Sequence, residues 1–115
     1  MKITVTKEDI LEAWRIRCYE PELPVTTNCP VALALRRNGI TFDGVTPDFL
    51  VCESGQYNFP RAVGSFVGSF DGHVAGEMMG IYRPKTRLGL WLVYRFRRPS
   101  VGPFSFEFDP PKETA

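Results

Sequence analysis

The hydrophobic and polar positions in the first part of the chain predict a short strand followed by a helix. Apolar and polar residues alternate over Lys2–Val5, which is the period-two pattern of a strand with one buried face. The next four residues, Thr6–Asp9, have the composition of a capping box, in which the threonine hydroxyl and the carboxylate each accept a backbone hydrogen bond. Ile10 and Trp14 then follow at helical spacing, so we expect a helix over about residues 7–17.

A second helix is predicted after a loop, residues 19–27, that two prolines keep irregular. Thr27 or Asn28 supplies a side chain suited to the N-cap, and Pro30 fits the first turn, where its missing N–H costs no hydrogen bond. The five residues that follow are apolar on nearly every side, which indicates a buried helix. Asn38-Gly39 supplies the left-handed residue that commonly ends a helix.

The middle of the chain contains two further strand patterns and a third amphipathic helix. Residues 40–42 and 49–52 are short apolar runs joined by a turn-rich segment, so each is predicted to be a strand. A helix is predicted over residues 60–70, ended by Asp71 and Gly72, and its two glycines are interpreted as points of close approach to a neighbouring element. Its apolar stripe has the spacing i, i+3, i+4 and i+7 and comprises Val63, Phe66, Val67 and Phe70.

The last third of the chain has the pattern of an antiparallel sheet. Residues 78–83 and 88–98 are predicted to form a long hairpin, and every second residue of the closing strand, residues 103–108, is phenylalanine. The resulting order β-α-α-β-β-α-β-β-β predicts an α+β fold, in which a mostly antiparallel sheet has about three short helices packed on one face. We expect a single α+β domain over residues 1–109 and a mobile tail over residues 110–115.

Composition narrows the class of protein without changing this fold. The 115 residues include 14 basic and 13 acidic side chains, a net charge of +1, which excludes an acidic mimic of DNA and a uniformly basic nucleic-acid coat protein. The three cysteines, Cys18, Cys29 and Cys52, form no short pairing motif, and no apolar run is long enough to cross a membrane. We therefore expect free thiols in the cytoplasm, no membrane partner, and no metal or other cofactor.

One segment of the chain concentrates positive charge, because residues 83–98 contain six basic side chains and no acidic one. Alternation along the predicted strand gives an apolar face directed at the core and a second face that combines an indole with two guanidiniums. That combination suits phosphates, nucleotides or acidic partners. The alternative is a solvated strand face in which arginine stems cover the indole. The predicted ligand-binding residues are Arg83, Lys85, Arg87, Trp91, Arg95 and Arg97.

Catalytic chemistry has weaker support in the sequence. Cys29 lies at or just before a predicted helix N-terminus, where the helix dipole lowers a thiol pKa, and His73 is the one imidazole that could act as its base. A buried structural thiol explains the same cysteine, and no sequence feature brings the two residues together. The chain has no phosphate-binding glycine loop and no nucleophile elbow. No catalytic residue is therefore assigned, and Cys29 and His73 stay weak candidates.

Several motifs resemble a group of small uncharacterised bacteriophage proteins. They are Val5–Ile10, with the pattern Val-Thr-x-x-x-Ile, and Cys29–Leu35, with the pattern Cys-Pro-Val-Ala-x-Ala. A proline-initiated helix ending in Phe-Asp, residues 60–71, and a closing Pro-Phe-x-Phe strand complete the resemblance, which implies a fold but no active site. Relative to that family, the chain has Thr26–Asn28 in place of a second cysteine and an insertion over residues 73–98.

Phage accessory proteins of this size commonly act by binding, so the resemblance implies a binding protein rather than an enzyme. Our first hypothesis is a phage-encoded protein that antagonises a host process, above all anti-phage defence, by binding a host protein or by sequestering a small anionic, nucleotide-like signal. The alternatives are a nucleic-acid-binding accessory protein that uses the basic aromatic hairpin, residues 82–98, and a thiol-dependent enzyme built on Cys29. Exposed strand edges and aromatic side chains also predict a homo-oligomer.

Overall fold

The structure, a computed structural model, describes residues 1–20, 22–78, 88 and 102–109, and it has the predicted α+β class. Every strand pair in this part of the chain is antiparallel, as predicted, but the strands form two small sheets, one with the order β1-β5 and one with the order β2-β3-β4. The elements are β1 (Lys2–Val5), α1 (Lys7–Tyr19), α2 (Val25–Asn28), α3 (Pro30–Arg37), β2 (Gly44–Val45), β3 (Phe49–Cys52), β4 (Gly55–Asn58), α4 (Arg61–Met78) and β5 (Phe104–Glu107).

The start of α1 has the predicted capping box, and an arginine from α3 extends it. The Thr6 hydroxyl accepts a hydrogen bond from the Asp9 N–H at 3.2 Å, and the Asp9 carboxylate accepts one from the Thr6 N–H at 2.9 Å. Arg37 donates to the same carboxylate oxygen at 2.8 Å and to the carbonyl oxygen of Thr4 at 2.8 Å. These hydrogen bonds connect the end of α3 to the junction between β1 and α1. Asp9 is buried.

Helix α3 begins one or two residues later than the sequence indicates. Its N-cap is Cys29, whose sulfur accepts a hydrogen bond from the N–H of Ala32. Thr27 and Asn28 belong instead to α2, a single helical turn that begins within the predicted loop, so the prediction of either residue as the N-cap is wrong. Pro30 occupies the first turn of α3, as predicted.

The predicted end of α3 is confirmed, and its geometry explains why the strand predicted next does not form. Gly39 has a φ of +79°, its N–H donates to Arg36, and the N–H of Ile40 donates to Leu35, which together make a Schellman motif. A buried apolar residue commonly follows this motif, and Ile40 has that role. The N–H of Ile40 is used at the helix end, residues 40–42 form no strand, and the prediction of a strand there is wrong. The first strand of this sheet is β2.

Helix α4 has the predicted apolar stripe but continues beyond its predicted end. Asp71 and Gly72 lie within the helix, and so does Met78, at which the sequence pattern predicts the start of a strand. An aspartate or a glycine weakens a helix by only about 1 kcal/mol or less, and Asp71 also accepts a hydrogen bond from Arg17 at 2.6 Å. Tertiary contacts therefore outweigh the local stop signal. The buried stripe residues are Val63, Phe66, Val67 and Phe70.

The rest of the predicted hairpin, residues 79–98, lies almost entirely outside the described residues. Leu88 is described, and it has a helical backbone and a 70% exposed side chain, so the predicted second strand does not begin at that residue. The predicted tail over residues 110–115 also lies outside the described part of the chain. The proposed limits of the single domain stay a prediction.

The closing strand β5 confirms the predicted alternation and supplies much of the aromatic core. Phe106 and Phe108 are buried and Phe104 is half-buried, whereas the residues between them are exposed. The ring of Phe59 lies 5.9 Å from that of Phe106 and 5.1 Å from that of Phe108, and the ring of Phe66 lies 4.4 Å from that of Phe104. These ring contacts join the β1–β5 sheet to α4 and to the residues that follow β4.

Strand β4 has no counterpart among the predicted elements. It pairs with β3 across a tight turn, and Gly55 at its start has a φ of +138°, which favours glycine. Its remaining residues are polar or aromatic, and Tyr57, opposite the buried Leu50, is half-buried. A strand with so little apolar alternation carries no period-two signal.

We expect the replacement Asp9→Ala to destabilise the protein by about 2–3 kcal/mol, because it removes the acceptor of a cap hydrogen bond and of a charge-assisted hydrogen bond. Glu8→Ala is the matched control, since it removes an exposed carboxylate from the same helical turn, and it should cost less than about 1 kcal/mol. Urea unfolding of both variants measures the difference. Equal losses of stability in the two variants would contradict the prediction that the hydrogen bonds of Asp9 stabilise the fold.

A second pair of variants tests the close approach of α4 to the turn before β3. A Cβ atom at Gly64 would lie 3.0 Å from the carbonyl oxygen of Pro47, whereas one at Gly68 would meet no atom within 4 Å. Gly68→Ala should therefore stabilise the helix by about 0.5–1 kcal/mol through propensity alone. At Gly64 the new methyl group crowds backbone, so we expect Gly64→Ala to be less stable than Gly68→Ala by about 1 kcal/mol or more. If thermal unfolding showed the same gain in stability for both variants, the close approach at Gly64 would be contradicted.

Candidate functional site

Most of the predicted site residues lie outside the described part of the chain, so their arrangement stays a prediction. Position 73 is within α4, and the side chain of His73 is also outside the described atoms. Cys29 is the predicted site residue whose side chain the structure describes. The residues whose positions stay untested are Arg83, Lys85, Arg87, Trp91, Arg95 and Arg97.

The thiol of Cys29 is a buried helix cap. The residue is 2% exposed, and its sulfur accepts the Ala32 N–H at 3.4 Å. Burial raises the pKa of this thiol, although hydrogen bonds from the backbone of Ala32 and Val31 act in the opposite direction. The helix N-terminus therefore acts on the pKa of Cys29 in the expected direction, but burial outweighs it, and the geometry favours the structural thiol.

The charged groups that act on Cys29 belong to an ion pair between two helices. A terminal nitrogen of Arg17 lies 2.6 Å from Asp71 Oδ1, and the guanidinium carbon lies 5.7 Å from the centroid of the Phe70 ring. The aspartate raises the pKa of Cys29 further and the arginine lowers it, but both effects are smaller than that of burial. This pair joins α1 to α4, and it gives the thiol no general base.

An open cleft lies where β4 and the end of β5 meet. Its volume is about 450 Å³. Phe59 and Phe108 belong to its lining and are both buried, and their packing against each other fixes the relative positions of the two strand ends. The cleft is lined by Gln56, Tyr57, Asn58, Phe59, Pro60, Glu107, Phe108 and Asp109.

The polar groups of the cleft are carboxylates and amides. The side chain of Glu107 is 76% exposed and that of Asp109 is fully exposed, and the N-terminal ammonium of Met1 lies 3.4 Å from the first and 3.9 Å from the second. The side-chain amides of Gln56 and Asn58 make no hydrogen bond with any residue that the structure describes. The cleft therefore presents exposed negative charge and two side-chain amides that have no hydrogen-bond partner among the described residues.

The backbone of β4 also presents hydrogen-bonding groups along this cleft. The N–H of Phe59 donates to the carbonyl oxygen of Asp48, at the end of the β3–β4 ladder. Backbone groups alternate sides along a strand, so those of Tyr57 also face β3, whereas those of Gln56 and Asn58 face the opposite edge. Within the described ranges, no strand pairs with that edge.

Sequence reasoning missed this cleft for a physical reason. Its two sides come from residues 56–60 and 107–109, which are far apart in the chain. Exposed amides and carboxylates on short strands have no distinctive spacing in the sequence. The clearest sequence pattern in this region is the row of phenylalanines in β5, which predicts the buried side of that strand and not the rim of the cleft.

Charge is distributed unevenly between residues 83–98 and the remainder of the chain. With six basic side chains in that segment, the remainder has eight basic and thirteen acidic side chains, a net charge of −5. In the described part, several arginines already bind other groups of the same chain: Arg15 contacts Glu12 and Glu20, Arg17 contacts Asp71, Arg36 contacts the carbonyl of Thr27, and Arg37 contacts Asp9.

Comparisons with known protein families, with curated proteins and with solved structures gave no match. The resemblance to small bacteriophage proteins therefore stays a prediction that rests on its motifs. Within the residues that the structure describes, no three histidine, cysteine, aspartate or glutamate side chains are arranged to hold a metal ion. Among the same residues, no helix combines the length and the apolar character needed to cross a membrane.

We expect the two described thiols to differ in reactivity. Cys52 is half-buried, and burial together with Asp43 raises the pKa of its thiol. At pH 7.5, iodoacetamide should alkylate Cys29 about tenfold or more slowly than Cys52, because the buried thiol reacts only after local opening. Alkylation of Cys52 should keep rising with pH to above the ordinary thiol pKa, since the thiolate is the reactive form.

Peptide mass spectrometry assigns each alkylation site, and unfolding in urea is the control that should equalise the two rates. Rapid alkylation of Cys29 in the native protein would contradict its role as a buried cap.

Proposed function

We propose that the protein is a phage-encoded binding protein that antagonises a host process in the host cytoplasm, above all anti-phage defence. It acts by holding a host protein or a nucleotide-derived signal. The observation that carries this proposal is the segregation of charge, in which residues 83–98 have six basic side chains and no acidic one. An arginine matches a phosphate or carboxylate with two parallel hydrogen bonds, and an indole provides a surface for stacking.

The use of arginine elsewhere in the chain supports this interpretation. Four arginines of the described helices bind carboxylates or carbonyl oxygens of their own chain, and these contacts stabilise the fold: Arg15, Arg17, Arg36 and Arg37. Those in residues 83–98 have no acidic neighbour in their own segment. A cluster of like charges without local partners costs electrostatic free energy, which an anionic ligand or partner offsets.

The state of the thiols supports binding over thiol chemistry and supports the proposed compartment. A buried thiol with a raised pKa is a poor nucleophile at neutral pH, which weighs against an enzyme built on Cys29. Cys29 and Cys52 are both free thiols, a state that a reducing cytoplasm maintains. The homo-oligomer stays a prediction.

We expect the double replacement Arg95→Ala and Arg97→Ala to leave the protein folded but to weaken its binding to an anionic ligand by about tenfold or more per lost contact. The probes are adenine and guanine mononucleotides and cyclic dinucleotides, measured by titration calorimetry. Host proteins that co-purify are identified by mass spectrometry for both proteins. Lys2→Ala with Arg61→Ala is the matched control, since it also removes two exposed basic side chains, and it should bind like the unaltered protein.

Two outcomes would contradict the proposal. One is a folded Arg95 and Arg97 variant that keeps full binding. The other is a loss of stability well beyond about 0.5 kcal/mol, which would place these arginines in structural ion pairs. An affinity that falls steeply with added salt, together with binding of unrelated oligonucleotides, would favour the nucleic-acid-binding alternative.

A further inference from the structure

We propose that the edge of β4 with which no described strand pairs, called the open edge below, and the cleft beside it bind an extended, basic polypeptide segment by strand addition. The inference goes beyond the proposed function, because it concerns a different surface and a partner of opposite charge. Extended peptides commonly bind to an unpaired sheet edge, where backbone hydrogen bonds give affinity and neighbouring pockets select the side chains.

The backbone geometry supplies the first part of the argument. Gln56 and Asn58 each direct an N–H and a carbonyl group to the edge away from β3, which gives two donors and two acceptors about 7 Å apart. This spacing matches alternate residues of an extended peptide. The cleft runs beside both residues, so a strand that pairs with β4 would lie along it.

Charge complementarity selects a basic partner. Glu107 and Asp109 line the cleft two residues apart in an extended segment, and none of the lining residues is lysine or arginine. The ammonium of Met1 already lies within 4 Å of both carboxylates, so the site holds the same chemical group that a lysine side chain carries. Both carboxylates are exposed, and such contacts are weak, so an incoming lysine can replace or join this ammonium.

Two other occupants fit the site less well. A small amine would contact the carboxylates but leave the edge groups of Gln56 and Asn58 without partners. A second copy of the chain pairing through β4 would bring two sets of carboxylates together, and β4 carries no basic side chain to offset them. An extended segment with alternating lysines satisfies both the backbone groups and the charge.

The probe for this inference is the acetylated hexapeptide Lys-Val-Lys-Val-Lys-Val amide with a fluorescent label, and its binding is measured by fluorescence anisotropy. We expect saturable one-to-one binding that is at least about tenfold tighter than for the peptide with glutamate at the three lysine positions. Two further copies of the peptide each carry N-methyl groups on the N–H groups of one backbone edge. Their affinities should differ, because the peptide pairs with β4 through one edge alone. An unchanged affinity for both copies would overturn strand addition.

Variants of the protein test the two sides of the cleft separately. Asn58→Pro removes an N–H that faces the open edge and no hydrogen bond to β3, and it should weaken binding about fivefold relative to Asn58→Thr, which keeps the N–H. Glu107→Gln with Asp109→Asn should weaken binding about threefold to tenfold and reduce its dependence on salt. Glu8→Gln with Glu22→Gln is the matched loss of two exposed carboxylates, and it should change the affinity less than twofold.

The outcomes distinguish this inference from the proposed function. If the protein binds nucleotides or a host protein through Arg95 and Arg97 but does not bind the basic peptide, the inference alone fails. If the peptide binds but the Arg95 and Arg97 variant loses no anionic ligand, the proposed function alone fails. A dimer in light scattering that Asn58→Pro converts to a monomer would overturn the inference, because a second copy would then occupy the edge.

Discussion

The carboxylate of Asp9 is the group on which the arrangement of the first three major elements depends. One of its oxygens accepts hydrogen bonds from the Thr6 N–H and from Arg37, and Arg37 also donates to the carbonyl of Thr4. Because Asp9 is buried, loss of a partner leaves a charged group poorly solvated, which costs far more than loss of an exposed ion pair. This contact sets where β1 ends and α1 begins, and it positions the end of α3 against both.

The position of β1 in turn determines the aromatic side of the molecule. Its partner β5 directs Phe106 and Phe108 inward, where both pack against Phe59 at the end of β4. The two small sheets therefore meet through aromatic rings, and no backbone pairing joins them within the described residues. A cleft forms at this junction for that reason, with buried rings that hold its sides and polar groups of Gln56 and Glu107 on its rim.

The features that could be predicted from the sequence are those whose interactions lie within one turn or one strand. The capping box at Thr6 and the helix end at Gly39 each involve neighbouring residues, so their signals are complete in the local sequence. Strand β4 exists because β3 pairs with it, and α4 passes Asp71 partly because Arg17, on another helix, contacts that residue. The cleft depends on the contact between Phe59 and Phe108, which are far apart in the chain, so local patterns do not predict it.

Burial distinguishes the charged side chains that stabilise this fold from those that are accessible to a partner. The side chains of Asp9 and Arg17 are 9% and 18% exposed, and each is joined to a different element of the structure, so their replacement costs stability. Glu107 and Asp109 are exposed, and their contacts are screened by solvent, so the fold loses little without them. The negative charge at the rim of the cleft lies beside backbone groups that pair with no described strand, so it adds little to stability and supports the proposed recognition of a basic segment.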